Sequence, residues 1–305
     1  MNATYLVLSK LSVKNANAMS SSITVGVPAM TAFMGFAHAL ERKVQALGFQ
    51  DFSVTGTAVF FHSFEAQLLM RAKKFRHSVI GTANPLKVDG SRPSSIEEPR
   101  CSMLVSLLMK INGIDKSNDK SLTENLGAIL SHMKLAGGDI GNAMSFFPKN
   151  SAADKSFEKI RIRYVNEESD ADEKKLLQSF MPSYALVDRH DLLEKQESPD
   201  EDALARLIDL IAVRYLPKED TNENTLSWEM RRKTEGWIVP VGVGFKDISG
   251  PVKMKAQRNT DYEHHFVEPL VTLGEFKMAH RINSIQDILW KYQTDLEQGL
   301  YLCRI

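Results

Sequence analysis

The chain has 305 residues, 43% apolar and 25% charged, with 38 basic and 38 acidic side chains and a formal net charge of zero. That supports a core for one large or two ordinary domains, and neutrality excludes a global basic field, so any nucleic-acid contact rests on local patches. Two distant cysteines, Cys101 and Cys303, give neither a disulfide framework nor metal-ligand spacing and point to a reducing compartment.

Residues 4–8 (TYLVL) read as a short buried strand. The stretch 15–48 follows, and the rest of the chain is organised around it. Its first half is small and polar, with Asn15, Asn17, Ser20, Ser21, Ser22, Thr24 and Gly26. Its second half opens at Pro28, which suits a first helical turn. Apolar residues then recur at Met30, Phe33, Ala37, Leu40, Val44 and Leu47, the spacing of an amphipathic helix. Amides and hydroxyls feeding a helix N-terminus suit an anion or a nucleic-acid backbone; the same residues also make an ordinary turn and cap.

Residues 52–61 (FSVTGTAVFF) form a second strand. The following segment, 64–100, carries Arg71, Lys73, Lys74, Arg76, Lys87 and Arg92, and from Arg71 to the Glu97–Glu98 pair these face a single acid, Asp89. Turn chemistry at Asn84-Pro85 and Asp89-Gly90, between strand-like flanks, predicts a long basic hairpin or arm. It is either a solvated loop or a phosphate-tracking finger.

Residues 102–111 (SMLVSLLMKI) are the cleanest strand, with Met103, Val105, Leu107, Met109 and Ile111 on one face. A helix with Leu122, Leu126, Ile129, Leu130 and Met133 inward comes next, then a short strand at LAGGDI. There Gly137 and Gly138 allow close backbone approach, although a helix stop explains one of them. With the arm set aside, residues 1–140 read β-α-β-β-α-β, the ferredoxin-like order shared by RNA-recognition folds.

The second half predicts a strand at 160–165, a turn or helix start in the acidic run 167–173 and a strand at 184–187. A helix is expected over 202–215, with Leu204, Leu207, Ile208 and Ile211 inward, and a polar linker over 218–224. Residues 237–245 (WIVPVGVGF) read as a strand that Pro240 places at an edge or bulge. A short helix is expected at 285–292.

Motifs for phosphate loops, dinucleotide binding, zinc proteases and serine hydrolases are absent. Adjacent His264 and His265 point different ways, so no metal site is expected. One catalytic option remains, RNA cleavage by a histidine general base. His62 is the candidate, at the end of the second strand, with His38 behind it. A His at a strand end more commonly makes structural hydrogen bonds. No apolar run approaches the ~20 residues that span a bilayer, the N-terminus lacks a secretory pattern, and the protein reads as cytoplasmic.

Several segments together carry a resemblance. LSVKNANAMSSSITVGVPAMTAFMGFAHAL (11–40), FHSFEAQ (61–67), NPLKVDG (84–90) and MKLAGG (133–138) are similar to the second subunit of the type I-F CRISPR surveillance assembly, the Csy complex. PSYALVDR (182–189), GWIVPVGVGF (236–245), FVEPLVTLGE (266–275) and GLY (299–301) follow in matching order; residues 141–177 match poorly and inherit no family role.

The resemblance implies an α+β protein: a modified RRM/ferredoxin-like domain (1–140) with an inserted β-hairpin thumb at about 64–101, and a mixed C-terminal extension (141–305) packed on it. It implies a non-catalytic, cofactor-free subunit that holds the 5′ handle of the CRISPR RNA with the large subunit. The thumb would dock on the first repeating backbone subunit, for target DNA recognition by the assembly. The family pattern places aromatics beside Gly26, where this sequence has Val25 and Val27, favouring backbone and amide contacts in that loop.

Asn15 and Asn17 would then meet unstacked bases, and Ser20, Ser21 and Ser22 sugar and phosphate. Arg71, Lys73, Lys74 and Arg76 would neutralise phosphates, and Gly137 and Gly138 would let RNA lie against protein backbone. Arg231, Arg232 and Lys233 read as a solvated basic face. The alternative is a CRISPR-RNA-processing endoribonuclease of similar RAMP fold; a small-molecule enzyme would require a closed apolar pocket with converging polar groups.

Overall fold

The computed structural model describes residues 2–70, 77–79, 81–83, 86–93, 95–141, 160–195, 202–220, 225–255, 257, 259 and 261–305. The chain begins with the long strand β1 (Asn2–Asn17), then the hairpin β2 (Met19–Ser21) and β3 (Thr24–Val25), helix α1 (Met30–Ala46) and strand β4 (Ser53–Ala66). Two small ribbons follow, β5 (Leu68–Met70) with β6 (His77–Val79), and β7 (Gly81–Ala83) with β8 (Ser95–Glu97). Strand β9 (Arg100–Asn112), helix α2 (Asp119–Ser131) and the pair β10 (Lys134–Leu135) and β11 (Gly138–Gly141) complete the first half.

The second half contributes β12 (Ile160–Asn166), α3 (Asp170–Gln178), β13 (Tyr184–Asp188), α4 (Asp191–Glu194) and α5 (Ala203–Ile211). A separate ribbon, β14 (Arg214–Asp220) with β15 (Thr225–Arg231), precedes β16 (Ile238–Asp247), β17 (Val267–Met278), β18 (Lys291–Asp295) and β19 (Leu300–Arg304). The result is a mixed α+β protein built on one large sheet, ordered β10-β11-β1-β9-β4-β13-β17-β16-β19-β18, with β12 also on β1. Its ladders are antiparallel, and β13 joins the two halves by pairing Tyr184 with Phe61 and Ala185 with Phe60.

Both faces of this sheet are covered. On one, α1 and α2 bury Met30, Phe33, Leu40, Leu122 and Leu126 against Val105, Leu107 and Met109. On the other, Leu176, Leu177, Phe180, Ile285 and Ile288 close over Tyr5, Val7, Phe60 and Leu108. Phe60 and Phe180 stack at 4.0 Å with planes 2° apart. Because β9 lies between two cores, Leu108 is buried as fully as the alternate residues the sequence pattern singled out, and Leu104 nearly so.

The far end of the sheet returns to its middle. Trp290 is fully buried, its backbone bridges Thr57 of β4 in both directions (2.9 and 3.1 Å), and its indole donates to the Leu186 carbonyl at 2.9 Å. This brings β18 and β19 beside α1 instead of leaving them splayed from the sheet.

Several expectations need correction. Pro28 precedes the cap residue Ala29 rather than entering the first turn of α1. Among the described residues, the expected long hairpin or arm carries two short ribbons. Helix α5 stops at Ile211, since residues 214–220 pair with β15, and Leu204 and Ile208 face outward at 46% and 53% exposure. That pairing also makes 218–220 strand rather than linker. Residues 285–288 are a 3-10 turn and 291–295 a strand, so the expected helix there is absent. Pro240 does lie where β16 pairs with β17 alone, and the register slips between Gly242 and Gly244.

Trp290→Ala removes a buried side chain and its hydrogen bond at that closure. It should lower the unfolding free energy by about 3–5 kcal/mol, read as a shift of the urea midpoint.

Candidate nucleic-acid interface

The Asn/Ser stretch is more ordered than its composition suggests. β1 runs on to Asn17, with the register slipping between Val13 and Ala16. Asn15 takes φ 57° in that slip, a left-handed conformation that asparagine tolerates. Its side-chain oxygen accepts from Gln67 Nε2 at 2.8 Å, and its carbonyl accepts from Arg100 Nη1 at 3.4 Å. Gln67 and Arg100 flank the arm, so Asn15 sits at the arm's root.

Asn17 folds its amide onto the chain: Nδ2 donates to the Met19 carbonyl and the Met19 N–H donates to Oδ1, both at 3.0 Å. This closes the turn into β2. Residues expected as open loop are therefore a hairpin, β2–β3. Ser20 and Ser21 each share a 2.7 Å hydrogen bond with the Thr24 hydroxyl. Ser21 is buried, while Ser22 is exposed at the tip. The hairpin rests on β16, where a Cβ on Gly242 would come within 2.9 Å of the Ser20 carbonyl.

The glycine pair is not a helix stop. Ala136 (φ 51°) and Gly137 (φ 75°) are the central residues of the tight turn joining β10 to β11, and positive φ at both matches the two-residue hairpin turn that favours glycine. Gly138 is buried, and a Cβ there would lie 2.6 Å from the Lys14 carbonyl and 2.8 Å from Ala16 N. The close approach expected at Gly138 is thus made by the chain's own β1. Gly137 remains exposed beside the hairpin, tied to it through the Asn17 N–H and the Ala136 carbonyl at 2.8 Å.

These pieces border one cleft of about 590 Å³. Asn17, Ser20 and Gly137 lie along one wall, and Pro28 and Ala29 bring in the start of α1, whose cap makes no side-chain hydrogen bond. Small residues of α1, among them Ala32, Gly35 and Ala39, keep the floor open. The far wall is aromatic: Phe245, Tyr292 and Tyr301, from three C-terminal strands. Lys134 at the rim pairs with Asp139 at 3.0 Å. Burial, together with the neighbouring Tyr301 hydroxyl, pushes the Tyr292 phenol well above its ordinary range, so it stays protonated.

Arg71, Lys73, Lys74 and Arg76 lie outside the described residues. In the other basic patch, Arg231 pairs with Glu229 and Lys233 with Asp209, both at 3.0 Å.

Of the two histidine candidates, His38 is exposed on α1, and His62 is held by hydrogen bonds. His62 Nδ1 lies 2.9 Å from the Pro182 carbonyl and Nε2 2.8 Å from the Ser106 hydroxyl. A neutral ring satisfies both by donating from Nδ1 and accepting at Nε2, which engages the nitrogen a general base would use. Burial lowers the His62 pKa, in keeping with that neutral form. Cys101 and Cys303 are buried and free, with thiols pushed up to about 11 and about 12 by burial; such thiols are poor nucleophiles. His265 pairs with Asp247 at 2.7 Å. Among the described residues, no three His, Cys, Asp or Glu side chains gather as metal ligands, and no helix is long and apolar enough to cross a membrane.

Comparison with known proteins places this geometry in a family. Residues 6–303 match the family described as CRISPR-associated protein (Cas_Csy2). The chain is also 32% identical, over 313 residues, to "CRISPR-associated protein Csy2" of Pseudomonas aeruginosa (strain UCBPP-PA14), covering 97% of this chain and 93% of that protein. The chain belongs to the Csy2 family. The motifs in its sequence pointed to this family, that of the type I-F Csy complex.

For a Csy2-family chain, the notable residues missed from sequence are Phe245, Tyr292 and Tyr301. They lie more than 200 positions from Asn17, and no local pattern announces that their strands fold back beside α1.

Two expected outcomes follow from this geometry. Gly138→Ala forces a Cβ into the β1 backbone and should cost about 1–3 kcal/mol of stability, whereas Gly137→Ala meets only its left-handed φ and should cost about 1 kcal/mol; paired urea titrations separate the two. The second concerns pH. Because the folded pKa of His62 lies below its ordinary 6.5, the unfolded chain binds more protons as pH falls below that value. Its contribution to stability is full above 6.5 and declines on acidification. His62→Gln should flatten that part of the stability–pH curve, measured by denaturation at a series of pH values.

Proposed function

We propose that this chain is the non-catalytic subunit that grips the 5′ handle of the CRISPR RNA in a type I-F Csy complex. The large subunit holds the handle with it, and the basic arm docks on the first backbone subunit so that the assembly can recognise target DNA. The observation that carries this reading is the convergence of Asn17, Ser20 and Gly137 with the open start of α1 on one cleft. Amides, hydroxyls and exposed backbone are what a protein offers to unpaired RNA.

The topology supports the accompanying fold. Strands β11, β1, β9 and β4 lie side by side in that order, with α1 and α2 on one face. The first and third strands of the β-α-β-β-α-β series are thus central, as in a ferredoxin-like domain. In this reading residues 1–140 are that domain, the thumb arises at about 64–101 and the C-terminal extension packs against it. An RNA-recognition sheet uses its open face; here that face lies under α3 and residues 279–290, which directs RNA to the cleft on the helix side. Asn15, at the root of the arm, links the cleft to Arg71, Lys73, Lys74 and Arg76, which track the phosphates. Ser22 and Ser20 face the strand, while Ser21 and Gly138 hold the hairpin and turn in shape.

The first candidate of the endoribonuclease alternative, His62, has its ring already engaged at both nitrogens. Salt titration of binding to repeat-derived single-stranded RNA tests the grip. Replacing Lys73 and Lys74 together by alanine should reduce the slope of log affinity against log salt by roughly 0.7 for each phosphate no longer neutralised. An unchanged slope removes the arm from the RNA path, and a specific cut in the repeat RNA by the pure chain replaces this reading with the nuclease.

A further inference from the structure

We propose that Tyr301, flanked by Phe245 and Tyr292, is a stacking shelf for one unpaired nucleobase at the far wall of the cleft. The inference rests on the reading of the cleft as an RNA site and assigns the contact that its polar wall lacks. With Val25 and Val27 beside Gly26, the hairpin itself offers no ring to stack on. The C-terminal strands place three rings across the cleft from it.

Those rings are packed as a platform but not sealed. Phe245 and Tyr301 lie nearly parallel, planes 23° apart and centroids 6.0 Å apart, and Tyr292 contacts Tyr301 at 5.3 Å. They keep 39%, 37% and 39% of their surface exposed for Phe245, Tyr301 and Tyr292. Facing them, Gly35 and its small neighbours on α1 leave room for a flat ligand, in a cleft whose volume falls within the range of about 300–1,000 Å³ usual for small-ligand sites.

The polar lining decides the occupant. The Asn17 amide spends one hydrogen and one lone pair on Met19, and its second hydrogen and second lone pair would meet only apolar atoms under an aliphatic anchor from a protein. A nucleobase offers a π-face to the tyrosine and hydrogen-bonding edges to the opposite wall. Stacking on aromatic side chains is a main source of affinity for single strands and tolerates any base.

The test uses the full chain and repeat-derived single-stranded RNAs carrying 2-aminopurine at successive positions. The wild type should bind and quench one position strongly. Tyr301→Leu, which keeps bulk and loses the π-face, should relieve that quenching and weaken binding by roughly tenfold. Tyr301→Phe should retain both, and Phe245→Leu should partly repeat the loss; unchanged thermal midpoints establish that the variants fold. Equal binding and quenching by wild type and Tyr301→Leu overturns the shelf while leaving the RNA grip standing. If Tyr301→Leu instead binds RNA normally but no longer co-purifies with the large subunit, the wall is a protein contact and the shelf is wrong. Failure of the wild type to bind any of these RNAs overturns the grip and the shelf together.

Discussion

The closure at Trp290 sets the architecture. A long antiparallel sheet twists as it grows, and unaided its last strands would drift from α1. Here the Trp290 main chain hydrogen-bonds Thr57, and the indole satisfies its donor on Leu186 inside the core. Buried tryptophan needs such a partner for its N–H. The pairing anchors β18 and β19, and through them the aromatic wall, against a helix near the other end of the chain. The far wall of the cleft depends on that return.

The second constraint is that the central strands of the sheet have no free face. Tyr5 illustrates it: its ring lies in the second core and its hydroxyl donates to Glu167 at 2.7 Å, an acid that Lys110 also pairs at 2.7 Å. In an open-faced RNA-binding sheet a tyrosine on the first strand is available to bases. Here that position belongs to the interior, and in the proposed grip recognition moves to the crevice between a hairpin, a helix start and an edge that folds back.

What could be read from the sequence follows the range of the interactions. Local patterns found α1, β9, α2, β12 and β13, because periodicity within a few residues reports which face is buried. Long-range pairing was invisible to them. Residues 214 and 215 fall in the expected helix and 218–220 in the expected linker, yet β15 pairs with all of them, and Leu204 and Ile208 look inward by spacing although the described structure leaves them exposed. At the cleft, the sequence singled out Asn17, Ser20 and Gly137 by composition and motif. It could not distinguish them from Ser21 and Gly138, because the difference is burial against Thr24 and β1. The far wall left no local trace.

A neutral chain that grips a polyanion must divide the work. The described cleft holds few cations, and Lys134 at its rim is paired with Asp139, so it gains little from counterion release. Its resources are shape, hydrogen bonds that read base edges, and aromatic surface that accepts any base. The basic arm has the opposite balance in its sequence, with four cations between Arg71 and Arg76. In the proposed grip, the arm supplies salt-sensitive attraction without choosing among bases, and the cleft supplies position and register. Asn15, bonded to both flanks of the arm and one bulge away from the cleft, joins the two. A formal charge of zero is therefore compatible with RNA binding, because the two tasks fall to different elements of one fold.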